Sequence, residues 1–193
     1  MRQQAVIAAQ VLLLLLLIIG SSSEMQQQQQ WKQVNTTSQL DNLFDFSFAQ
    51  TQSYLFMFGG VTKKFKVVND LHAIHLNTLE IFKLTAENTP TPRKEAAGFI
   101  CGTALDQFVV VGGMDAEKNI LNEMWSLSVQ ARAWKQIGQN ELIQRTGHYG
   151  TCVGKSEQFV IFGGENASGR FLNDLILYNG TGWHVLPVRS QQI

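Results

Sequence analysis

Charge is scarce in this chain and it balances: 15 basic against 15 acidic residues give a formal net charge of zero, with only 16% of positions charged. No global field therefore draws the chain onto nucleic acid or an acidic surface. Proline occurs three times and cysteine twice, too few for a proline-rich linker protein or a disulfide-dense miniature scaffold. Histidine is as sparse, with four residues. His72 and His75 stand three apart on a predicted strand and point to opposite faces, so they cannot share a metal. His148 and His184 have no partner at metal-ligand spacing, and each of the four is expected to be a surface or hydrogen-bonded structural histidine. Also missing are a Gly-x-Ser-x-Gly elbow, a phosphate-binding glycine loop and a dinucleotide fingerprint. A non-enzymatic protein with no cofactor and no metal is expected.

The one long apolar run is at the start. Residues 5–19 are apolar except Gln10, follow Met1 and Arg2, and lead into Gly20 and three serines. Fifteen residues fall short of the roughly 17–25 that span a bilayer as a helix. The pattern of charged start, apolar stretch and small-residue exit reads as a secretory signal over 1–23, with an uncleaved membrane anchor as the alternative. The expected location is the secretory pathway, extracellular or lumenal. Residues 24–30, with the tract from Gln26 to Gln30, read as a flexible spacer. Asn-x-Ser/Thr triplets begin at Asn35, Asn166 and Asn179 and are candidate glycosylation sites.

What the chain does have is repetition. A hydrophobic strand ends in Gly-Gly three times, at Gly59-Gly60, Gly112-Gly113 and Gly163-Gly164. In each copy an eight-residue loop follows, and then Asn-acid: Asn69-Asp70, Asn122-Glu123 and Asn173-Asp174. The pairs lie 53 and 51 residues apart, a period at which each unit is one supersecondary structure that must stack on its neighbours. Between the motifs, alternation and turn residues predict four short strands per unit. They fall at 44–48, 54–58, 71–76 and 80–84; at 97–101, 108–111, 123–129 and 134–137; and at 149–153, 158–162, 175–178 and 183–188. The glycines are expected where the backbone needs positive φ or a close neighbour. The Asn-acid pair is expected to bond loop-exit backbone, and a late aromatic (Phe82, Trp134, Trp183) to anchor the last strand on a neighbouring unit. Cys101 and Cys152 each precede a Gly-Gly pair by eleven residues. If equivalent places stay one unit apart, their Cα atoms exceed the roughly 7 Å of a disulfide, and two separate buried thiols are favoured over a bridge.

The Gly-Gly, Asn-acid and late-aromatic constellation resembles the kelch repeat. The resemblance implies an all-β fold of four-stranded antiparallel β-propeller blades, at 43–85, 96–138 and 147–188 within a repeat region of 31–193. Residues 31–34, beginning with Trp31, match the last strand of a preceding blade and form an orphan strand. Three blades are fewer than a ring holds, so the expectation is part of a larger propeller of five to seven blades, with a homodimer completing a six-blade ring as the alternative. The function implied is a protein–protein interaction scaffold. The alternative is a fragment of a kelch-type oxidase or sugar mutarotase, or a glycan-binding propeller, whose site lies in further blades. Candidate partner-binding residues sit in the Gly-Gly loops: Lys63, Lys64, Phe65 and Lys66 in the first, Arg170 and Phe171 in the third.

Overall fold

The computed structural model describes residues 43–187 except 103, 105 and 155. The leader, the glutamine spacer, the orphan strand, Asn35 and the end of the third repeat lie outside the described residues. In chain order the strands are β1 (Ser47–Gln50), β2 (Tyr54–Phe58), β3 (Leu71–His75), β4 (Ile81–Leu84), β5 (Ala97–Cys101), β6 (Gln107–Val111), β7 (Glu123–Ser128), β8 (Ala133–Gln139), β9 (Arg145–Thr146), β10 (Tyr149–Cys152), β11 (Phe159–Phe162), β12 (Glu165–Asn166), β13 (Leu175–Tyr178) and β14 (Trp183–Leu186). They form three antiparallel meanders, β1-β2-β3-β4, β5-β6-β7-β8 and β10-β11-β13-β14, plus a small β9-β12 pair. These are the three expected blades.

The first strand starts later than its sequence suggests. Asp45 takes φ 56°, which breaks the extended run, and Phe44 bridges to Val61 across the first Gly-Gly loop instead of entering the sheet. The same contact recurs ahead of each blade, from Lys94 to Met114 and from β9 to β12. Each linker is therefore pinned to the loop of the blade it leads into.

Strand β5 packs against β1 on one side and β10 on the other, so the first strands of the blades are neighbours. Two apolar seams result. Phe56, Phe58, Phe108, Leu127 and Trp134 fill the seam between blades 1 and 2, with the Trp134 ring 4.8 Å from Phe58 and 5.9 Å from Phe108. Phe99, Val111, Met124, Phe159, Ile161 and Ile176 fill the next. A buried aromatic removes about 150–250 Å² from water, so Trp134 is a principal tie between the first two blades.

The cysteines correct the sequence-based expectation. Cys101, ending β5, and Cys152, ending β10, form a disulfide with Cα atoms 5.4 Å apart. Equivalent positions lie a unit apart in a linear array, but blades turn about a common side and converge at their first strands. At that place one period in sequence is only a strand's width in space.

The last blade differs in one respect. Phe58 and Val111, which end β2 and β6 and face the following blade, are fully buried. Phe162, at the same place in β11, is 51% exposed, and Tyr149 beside it is 74% exposed. Among the described residues no strand pairs blade 3 back to blade 1.

Candidate interaction surface

The Gly-Gly corner is where strand, loop and linker meet. Gly112 and Gly113 have φ of 61° and 92°, a region that favours glycine. A Cβ on Gly112 would lie 2.7 Å from the Arg145 carbonyl oxygen, and one on Gly113 would lie 2.7 Å from that of Lys94. Gly59, Gly60, Gly163 and Gly164 share the positive φ. Both expected requirements, a special backbone and a close neighbour, coincide at this corner.

The neighbours are held by two arginines that the sequence reading passed over. Arg93 and Arg145, in the linkers before blades 2 and 3, are 1% and 2% exposed. The Arg93 carbonyl accepts from Gly60 N (2.8 Å) in blade 1, while its guanidinium reaches Gly112 O (3.2 Å) and Glu123 Oε2 (2.8 Å) in blade 2. Arg145 repeats the pattern one blade on. Its carbonyl accepts from Gly113 N (2.9 Å); its guanidinium donates to Gly163 O (2.9 Å) and, in a fork, to both oxygens of Asp174 (2.8 and 3.1 Å). One residue thus binds two blades, by backbone and by side chain. The signal was present in the chain, since the arginines precede their Gly-Gly pairs by 19 and 18 residues. An arginine in a linker has no apolar periodicity to mark it.

These contacts revise the role expected of the acid after Asn. Glu123 and Asp174 serve buried guanidiniums. Burial works to raise the Glu123 pKa, but hydrogen bonds from Arg93 and Trp125 hold it below the usual carboxylate value. The Arg145 hydrogen bonds hold Asp174 low in the same way. Burial pulls Arg93 down, against the stabilising charge of Glu123. Asp70 in blade 1 instead makes an exposed ion pair with Lys83 at 2.9 Å. Asn69 does bond backbone, donating to Pro90 O at 3.0 Å; Asn122 is half-buried and Asn173 exposed.

Cross-strand register locates the late aromatics. Trp134 lies opposite Leu127 and Trp183 opposite Tyr178. The equivalent place in blade 1 is Ile81, opposite Ile74; Phe82 is one residue on, opposite Ala73, and 42% exposed. Trp183 packs on Phe159 at 5.4 Å, at the seam with blade 2.

His148 departs from the expected surface or hydrogen-bonded histidine. It is 4% exposed, and neither ring nitrogen has a well-formed hydrogen bond, the Val111 backbone being a weak partner. Burial first, then the nearby Arg145 charge, lowers its pKa from 6.5 to about 3, against a smaller opposing effect of the Val111 backbone. The folded protein thus refuses a proton that the unfolded chain takes up below about pH 6.5. Its contribution is complete above that pH and is lost as pH falls toward 3, at up to about 1.4 kcal/mol per pH unit. Melting curves at pH 7, 6 and 5 should show this decline. In His148→Ala, which copies Ala96 at the equivalent corner, the slope should flatten; parallel slopes would exclude His148 as its source. The other histidines are placed more simply. His75 Nδ1 bonds Thr78 and His184 Nε2 bonds Asn179, while His72 is half-buried on β3. Among the described residues no three His, Cys, Asp or Glu side chains cluster as a metal site.

The three loops beyond the Gly-Gly pairs, 61–68, 114–121 and 165–172, share one frame. Each closes with its last amide donating to the second glycine: Val68 to Gly60 (3.0 Å), Leu121 to Gly113 (2.8 Å) and Leu172 to Gly164 (2.8 Å). Lys63, Lys64, Lys66 and Arg170 are exposed on these loops, and Phe65 and Phe171 are 83% and 81% exposed. Asn166 Oδ1 accepts from the Ser168 hydroxyl (2.8 Å) and Asn179 Oδ1 from that of Thr181 (2.9 Å), so the first described triplet turns out of the end of β12 and the second bends between β13 and β14.

Comparison with known proteins agrees with this architecture. Residues 24–192 match the KLHDC2/KLHL20/DRC7 Kelch-repeats domain. The chain is 24% identical to mouse (Mus musculus) Kelch domain-containing protein 1 over 136 residues, covering 68% of this chain and 33% of that protein. It is 26% identical to Acyl-CoA-binding domain-containing protein 4 of Arabidopsis thaliana over 135 residues, 68% of this chain and 20% of the other. A third relative, Tip elongation aberrant protein 1 of Schizosaccharomyces pombe, is 27% identical over 138 residues, 68% of this chain and 12% of its own length. The match thus spans a third or less of each of these relatives.

Proposed function

Because the chain belongs to the kelch-repeat family, we propose that it is a non-catalytic protein-binding module whose recognition surface is the rim of Gly-Gly loops. A rigid scaffold carrying loops of equal length and unlike sequence suits recognition. The observation that carries the reading is the pair of rings, Phe65 and Phe171, held more than four-fifths exposed on the first and third loops. Covering such a ring is worth about 1.5–3 kcal/mol, so the fold leaves that gain to a partner. Lys63, Lys64 and Lys66 beside Phe65, and Arg170 beside Phe171, select an acidic, amphipathic protein surface.

The chain, isolated from expressing cells and used for quantitative affinity capture, tests this. Changing Lys63, Lys64, Phe65 and Lys66 to serine should reduce the captured partner about tenfold, and the wild-type interaction should weaken steeply with added salt. Capture unchanged by the four substitutions would overturn the rim. Capture lost instead in Phe162→Asp would move recognition to the open side of blade 3, where another blade or a second copy of the chain would dock. Location in the secretory pathway is part of the proposal. The apolar start supports it, and so does the Cys101–Cys152 bridge, because disulfides persist in oxidising compartments. In that setting Asn35, Asn166 and Asn179 are glycan acceptors.

A further inference from the structure

The two seams between blades are not alike at the end opposite the Gly-Gly loops. In blade 1 the side chains facing the next blade there are Tyr54, Ala73 and Phe82, on three adjacent strands. Fifty-three residues on, at the same register positions of blade 2, stand Gln107, Ser126 and Lys135. Apolar or aromatic groups are thus exchanged for hydrogen-bonding ones at three neighbouring places on one face. The wall across from them is aromatic: Phe159 and Tyr178 of blade 3 stack with centroids 4.9 Å apart. Between the walls lies a half-open cleft of about 380 Å³, with Glu157 at its edge.

The polar wall is organised. Ser126 is 5% exposed and donates its hydroxyl proton to Gln107 Oε1 at 3.0 Å. With its oxygen engaged, the Gln107 amide keeps its two N–H groups for another acceptor. Lys135 is the cross-strand partner of Ser126 and adds an ammonium donor on the same face, while Glu157 supplies an acceptor. An amide, an ammonium and a carboxylate set against an aromatic plane suit a ligand with one apolar face and a ring of hydroxyls. The volume is at the small end of the range for ligand sites.

We propose that this cleft between blades 2 and 3 is a saccharide subsite, taking a pyranose ring against Tyr178 with its hydroxyls bonded by Gln107, Lys135 and Glu157. The site lies at the opposite end of the blades from the loop rim and stands independently of it. Maltose, cellobiose, lactose and diacetylchitobiose, each titrated into ¹⁵N-labelled chain, are the probes. At least one should shift the Gln107 side-chain amide and the residues around Tyr178, saturating at millimolar concentration. Lys135→Ala, at an exposed position, should weaken that binding about tenfold. Ser126→Ala with Lys135→Phe, which copies blade 1, should abolish it while the melting temperature is kept. No shift with any of the four sugars, shifts elsewhere on the chain, or binding that survives both variants would each overturn the subsite and leave a solvent-filled groove.

Discussion

Arg145→Ala should lower the unfolding free energy by about 3–5 kcal/mol, the loss expected when one partner of a buried ion pair is removed. The guanidinium is almost wholly buried and donates to Leu142 O, Gly163 O and both Asp174 oxygens. Alanine leaves those acceptors without it, and each unsatisfied buried group costs about 1–3 kcal/mol. Water can reach Asp174, which is 28% exposed, so the loss stays near the lower bound if solvent enters. Lysine should rescue little, because a point charge cannot make the two-pronged contact with the carboxylate. Urea unfolding of wild type, Arg145→Ala and Arg145→Lys measures this, and a loss under about 1 kcal/mol, the scale of an exposed pair, would show that the ion pair contributes only as a surface one.

Breaking the Cys101–Cys152 bridge should have a comparable effect through the unfolded state. The bridge closes 51 residues, and the chain-entropy account gives about 4 kcal/mol for a loop of that size, with about 2–4 typical in practice. The Cys101→Ala, Cys152→Ala double variant should therefore unfold at clearly lower urea. Reductant should destabilise wild type and leave the double variant unaffected. The same measurement bears on location. Chain taken from cells should migrate faster on a gel without reductant, and chain that arrives fully reduced would count against passage through an oxidising compartment.

Much of the architecture was legible because glycine marks it. Each Gly-Gly pair ends a second strand, alternation places β7 to within a residue, and the turn residues after Cys101 and Tyr178 bound the short apolar runs of β5 and β13. What escaped has a common physical cause. The disulfide was misjudged because spacing along a chain says nothing about blades converging at their first strands. Arg93 and Arg145 were passed over because a linker side chain that reaches into the following blade leaves no periodic trace. Phe82 was aligned by chemistry, as the aromatic of the last strand, whereas the ladder gives its place to Ile81 opposite Ile74. The cleft polarity was invisible for the same reason: Gln107, Ser126 and Lys135 become neighbours only once three strands are in register.

The three rim loops close on the second glycine by the same main-chain hydrogen bond, whatever side chains they carry. Stability and specificity are thereby written in separate places. Substitutions at residues 63–66 or 168–171 alter what the rim can touch without entering either seam, so the loops are free to diverge while the blades stay fixed. If the rim is the recognition surface proposed above, a loop transplanted from one blade to another should carry its binding preference with it.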